Sequence, residues 1–163
     1  MASREISRDE IADRVSAYVY GNILTLAALV VLRHDEVENG ASLAIVAGTA
    51  LSTFAAHAYA ERLGAEVRGA EHASWRVVLR DSTPIMSAAA VPAALMAVGA
   101  LGWLEPPVCL RIAEAWVVLR LGLTGFFMSR LRGSPVTVRT WITSIGMATV
   151  AVAIVGVKVV LTH

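Results

Sequence analysis

A single cysteine, Cys109, stands among the 163 residues, which excludes an internal disulfide and leaves the redox compartment open. Charge is scarce as well. Only 17% of residues are Asp, Glu, Lys or Arg, against about 25% in soluble domains. The arginines are spread over several segments, so the one-sided basic cluster of a nucleic-acid footprint is absent and no nucleic-acid partner is expected. Enzyme signatures are missing too: there is no HExxH, no GxSxG and no Walker loop, and no base accompanies the lone cysteine in sequence. The chain is therefore read as not an enzyme. The opening stretch MASREISRDEIADR carries both signs of charge and lacks the basic-then-apolar order of a signal peptide. No cleaved signal is expected, and the first apolar run is retained.

What remains is hydrophobic: 56% of the chain, with a mean hydropathy of +0.64. Spanning about 30 Å of hydrocarbon at 1.5 Å per residue requires about 20 apolar residues in a row. Five runs meet or approach that length, at 15–32, 41–60, 82–104, 108–128 and 140–157. The pattern predicts an all-α polytopic membrane protein, one domain of five transmembrane helices, with spans at about 15–33, 41–62, 82–104, 108–130 and 139–161. Residues 62–81 read as a cytoplasmic loop able to form one amphipathic helix along the surface through Val67, Trp75 and Val78. Ser7 followed by Glu10 reads as a helix-capping pair. Trp75, Trp103 and Trp141 fall near span ends, where amphipathic rings favour the headgroup zone. Pro106 and Pro107 mark the turn between the third and fourth spans. Pro84 is expected in the first turn of the third span and Pro92 at a kink within it.

Ten basic residues (Arg4, Arg8, Arg14, Arg62, Arg68, Arg76, Arg80, Arg130, Arg132 and Arg139) fall on one side of this topology, and three (Arg33, Arg111 and Lys158) on the other. The excess of Lys and Arg on cytoplasmic loops puts the N-terminus in the cytoplasm and the C-terminus outside, as in a multi-pass protein of the cell (inner) membrane. Small residues such as those in SAAAVPAALMAVGALG let helices approach closely in lipid. They point to a tight bundle and a homo-oligomer within the lipid bilayer.

Thr49, Thr53, His57 and Glu61 recur every four residues and line one face of the second span. An ionisable group below the membrane surface is expected to face the bundle interior or a wet cavity. Imidazole and carboxylate one turn apart suit a divalent transition metal. Asn22 in the first span and Asp81 at the start of the third are expected at similar depth. Arg120, in the middle of the fourth span, is too deep to reach a surface. It is expected to meet a carboxylate, Asp81 or Glu61, or a water-filled cavity. In the packing alternative, His57 and Asn22 only bond neighbouring helices, and Glu61 pairs with Arg62 or Arg80.

The segments YGNILTLAALV (20–30), LSTFAAHAYAE (51–61) and VRTWITSIGMATVAVAIVGVKVV (138–160) resemble, in order and character, the first, second and last spans of the vacuolar iron transporter family. The resemblance implies five spans, an inside N-terminus, an outside C-terminus and a metal-collecting segment between the second and third spans. Asn22 stands where the family carries an aspartate. Of its Gly-Glu-Tyr motif only Tyr59 is matched, and the loop offers Glu66, Glu71 and His72.

Two functions are left standing. One is a homo-oligomeric cation transporter, with a divalent metal among the candidate substrates and proton coupling through His57, its site among Asn22, Thr53, His57, Glu61, Asp81 and Arg120. The other is a non-transporting membrane scaffold or accessory subunit, or else an ion channel.

Overall fold

The computed structural model describes the backbone of residues 8–67, 74–131 and 135–162, and the side chains of 11–67, 74–130 and 135–156. All the elements within them are helices: α1 (Arg8–Val31), α2 (His34–Glu38), α3 (Ala41–Val67), α4 (Trp75–Ala100), α5 (Pro106–Gly122), α6 (Thr124–Leu131) and α7 (Val138–Thr162). α1, α3, α4 and α7 are each long and apolar enough to cross a membrane; α5 and α6 pass the same test together, as a pair bent by 46°. Large apolar side chains such as Leu51, Trp116, Leu119, Ile142, Ile145 and Val152 point outward. A surface of this kind suits lipid rather than water.

The turns follow from local chemistry. Asn39 accepts the Ala41 N–H at 2.9 Å and so caps α3. α4 ends in a Schellman turn: Trp103 N–H returns to the Val98 carbonyl at 3.2 Å and Gly102 N–H to Gly99 at 2.9 Å. Gly102 has φ +72°, a conformation only glycine takes without strain. Pro106 and Pro107 then open α5, where their missing N–H groups cost nothing.

α4 is the central helix, packed against α1, α3 and α5. At its closest approach to α1, a Cβ on Gly21 would lie 2.7 Å from the Ile85 Cα, so that crossing tolerates only glycine. Beyond it, Leu26, Leu29, Val46, Met96, Val117 and Leu121 form the buried apolar core.

The structure differs from the sequence reading in three places. Much of the expected 62–81 loop is helical, since α3 continues to Val67 and α4 begins at Trp75, and residues 68–73 lie outside the described residues. Val78, expected on a lipid-facing surface, is buried within the bundle. Pro84 is consequently interior to α4. A proline there leaves the carbonyl four residues earlier without its amide partner, and the Thr83 hydroxyl donates to that carbonyl, on Arg80. Third, the run at 108–130 is interrupted at Leu123, between α5 and α6. The expected Ser7 cap lies outside the described residues.

Candidate functional site

At the end of the bundle where α1 and α4 begin, Asp13 of α1 and Asp81 of α4 face the same space as α3. Asp81 of α4 is buried, with 8% of its surface exposed. Its Oδ1 accepts Arg14 Nε of α1 at 2.9 Å and Arg80 Nε at 3.2 Å. On α3, His57 Nε2 lies 3.9 Å from Glu61 Oε1, an ion pair when the imidazole is protonated. The Tyr20 ring of α1 stacks on His57 with centroids 6.3 Å apart. One turn further, Arg62 reaches Glu66 at 3.6 Å and lies over the Trp75 ring at 4.7 Å. Between these groups is a cleft of about 130 Å³ lined by Asp13, His57, Glu61, Ala65, Val77 and Asp81, with Val78 at its wall.

Three of the sequence candidates, His57, Glu61 and Asp81, therefore line one cleft. Asn22, Thr53 and Arg120 do not line it. Thr53 is buried one turn deeper on α3. Asn22 is fully buried and donates from Nδ2 to the Tyr18 carbonyl at 2.7 Å. Its Oδ1 has no hydrogen-bond partner among the described residues. Asp13 is the lining residue the sequence did not single out. Its polar surroundings hid it, although it precedes Arg14 on a helix whose next residues are apolar.

Three carboxylates and an imidazole face one space, yet among the described residues no three His, Cys, Asp or Glu side chains are placed to hold a metal ion. The His57–Glu61 pair thus has no third ligand there. Glu71 and His72, offered by the sequence as loop ligands, lie outside the described residues.

Arg120 is the clearest departure. Instead of a carboxylate, its guanidinium meets α4 backbone: Nη1 donates to the Ser87 carbonyl at 2.6 Å and Nη2 to the Ser87 hydroxyl at 3.1 Å. The guanidinium also lies over the Tyr18 ring, 5.0 Å from its centroid. Asp81 is instead held by Arg14 and Arg80.

Arg120 sits at the break in the span. The last backbone bond of α5 ends on the Leu123 N–H, and the Leu123 carbonyl accepts from Phe127 in α6. The carbonyl of Arg120 lies across this gap. It accepts the Tyr18 hydroxyl at 3.0 Å and the Thr124 hydroxyl at 3.4 Å. No proline lies at the break; an inserted side chain and the flanking Gly122 and Gly125 are recognised causes of such bends. A Cβ on Gly125 would overlap the Thr140 carbonyl oxygen and crowd the Ser144 hydroxyl, so glycine also lets α6 turn onto α7.

No family model, curated protein or solved structure matches the chain.

Proposed function

We propose that the chain is a five-span membrane protein with its N-terminus in the cytoplasm, and that it transports a small cation rather than catalysing a reaction. The observation that carries this reading is the cleft shared by Asp13, His57, Glu61 and Asp81. Carboxylates at the end of a bundle attract cations, and an imidazole among them can pass a proton as a cation arrives or leaves. Since no three metal-ligand side chains converge among the described residues, the cleft acts as a mouth for a hydrated ion or a proton rather than as a chelating cage. A divalent metal stays among the substrates to be tested. Deeper in the bundle, the orphaned Asn22 Oδ1 supplies acceptor lone pairs. The broken α5–α6 span supplies irregular backbone of the kind that lines transport sites.

The proposal includes a homo-oligomer. Ala44, Ala47, Gly48, Ser52 and Ala55 form an exposed small-residue face on α3, and close packing of such faces drives helix association in lipid. The scaffold alternative rests on the same cleft read as a clasp, with Asp81 tying α1 to α4 through Arg14.

Proteoliposomes separate the two. Expected is flux of at least one ion from a panel of H⁺, Na⁺, K⁺, Mn²⁺, Fe²⁺, Co²⁺ and Zn²⁺, read with internal dyes and lowered at least tenfold by Glu61→Gln. Folded protein that passes none of them, with and without a pH gradient, would leave the clasp reading.

A further inference from the structure

All 13 acidic residues of the chain lie at or before Glu114; from Ala115 onward there are only cations, Arg120, Arg130, Arg132, Arg139 and Lys158. Arg130 and Arg139 flank two adjoining clefts at the end of the bundle where α6 stops and α7 starts. One, of about 240 Å³, is lined by hydroxyls and a guanidinium: Ser129, Thr137, Arg139, Thr140 and Thr143. The other, of about 600 Å³, is lined by Tyr18, Leu123, Phe126, Phe127 and Val136, with Arg130 at its rim. Ser129 and Pro135 belong to both, so the polar and apolar clefts form one amphipathic groove.

We propose that this groove binds one anionic phospholipid, its phosphate between Arg139 and Arg130 and the start of an acyl chain along Leu123, Phe126 and Phe127. Three observations specify that occupant. Among the described residues neither guanidinium forms an ion pair, so their charge is available to a ligand phosphate, which arginine holds well. Thr140 is 93% buried by its 7% exposure and its hydroxyl accepts the Thr137 amide at 3.2 Å, which leaves its own proton to donate to a phosphate oxygen. Finally, the groove lies at headgroup level: Trp141 in the first turn of α7 packs edge-on against Phe126 at 5.1 Å, and tryptophan at a helix end marks that zone. The Tyr18–Phe127 stack, with centroids 5.1 Å apart, forms the floor beneath. A soluble phosphate compound would use the polar cleft and leave the larger apolar one unfilled; a zwitterionic lipid brings the same phosphate but also a quaternary ammonium, which two arginines repel.

Native mass spectrometry of the delipidated, purified full chain tests this with phosphatidylglycerol, phosphatidylcholine and inorganic phosphate as separate probes. The expected result is a one-to-one phosphatidylglycerol adduct that phosphatidylcholine does not match and inorganic phosphate at equal concentration does not displace. Each arginine removed should weaken the adduct about five-fold, so Arg130→Gln with Arg139→Gln weakens it about 25-fold, while Arg33→Gln, outside the groove, leaves it unchanged. Should the double variant fail to fold, Thr140→Val is the substitute and should weaken the adduct several-fold. Equal retention of phosphatidylcholine, displacement by inorganic phosphate, or an undiminished adduct in the folded variant would each overturn the proposal.

Discussion

The two halves of the bundle treat charge in opposite ways. Around α1, α3 and α4, acids and bases meet within the chain: Asp81 accepts Arg14 and Arg80, His57 faces Glu61, and Arg62 faces Glu66. Around α5, α6 and α7 there is no acid after Glu114. There Arg120 is satisfied by a carbonyl, a hydroxyl and an aromatic face. The first arrangement fixes helices to one another through opposite charges. The second holds a cation in place without neutralising it, and so keeps a positive field in that half of the bundle. A charge can therefore be satisfied by the fold in two ways, buried against opposite charge as at Asp81 or half-buried against neutral groups as at Arg120, and only the first makes the two partners depend on each other.

That dependence predicts the largest effect. Asp81→Leu strands Arg14, whose side chain is 32% exposed, so the loss should be about 1.5–3 kcal/mol, that of a hydrogen bond to a charged group, rather than that of a fully buried pair. Arg14→Leu should cost clearly less, because Arg80 still holds Asp81 at 3.2 Å. Chemical denaturation in detergent, followed by circular dichroism, gives both values. Equal losses would mean that Arg80 does not stand in for Arg14.

Next come the glycine contacts, one in each half. Gly21→Ala drives a Cβ into the Ile85 backbone, and Gly125→Ala drives one into the Thr140 carbonyl. Overpacking of this kind typically costs about 1–3 kcal/mol, and since backbone is met in both cases, thermal melts should fall for both. Neither loss should be relieved by shrinking a nearby side chain.

A double-mutant cycle sharpens the comparison. Arg120 and Asp81 share no partner, so the losses from Arg120→Leu and Asp81→Leu should add to within about 0.5 kcal/mol. A coupling above about 1 kcal/mol would join the two halves electrostatically after all. The smallest effect belongs to Tyr18→Phe, which removes the hydroxyl from the Arg120 carbonyl at the span break. It should cost about 0.6 kcal/mol, the average for hydrogen bonds between membrane helices, and increase hydrogen exchange around Leu123.

These outcomes also mark what sequence alone could convey. The helical class and the His57–Glu61 approach follow from composition and a four-residue period, both local properties. The pairing of Asp81 with Arg14 does not: the two are 67 positions apart, and no periodicity encodes a contact between helices. α4 starts before the apolar run that predicts it, for a physical reason. Hydropathy marks where a helix leaves hydrocarbon, at Arg80 and Asp81, whereas its hydrogen bonding continues back to Trp75. The break at Leu123 has only a weak sequence signal, Gly122 and Gly125, because no proline causes it. The absence of acids after Glu114, by contrast, was legible from the start, as a difference between segments that whole-chain composition averages away.

Transport through this bundle requires that the cleft of Asp13, His57, Glu61 and Asp81 be a hydrated mouth on the cytoplasmic side. In a Cys109→Ala background, Glu61→Cys can be probed with a membrane-impermeant maleimide in inside-out and right-side-out vesicles. The account predicts labelling of Glu61→Cys from the cytoplasmic face only, at a rate within about tenfold of the exposed Ser74→Cys. A Glu61→Cys thiol that stays unlabelled from both faces while Ser74→Cys reacts, or one that reacts only from outside, would contradict it.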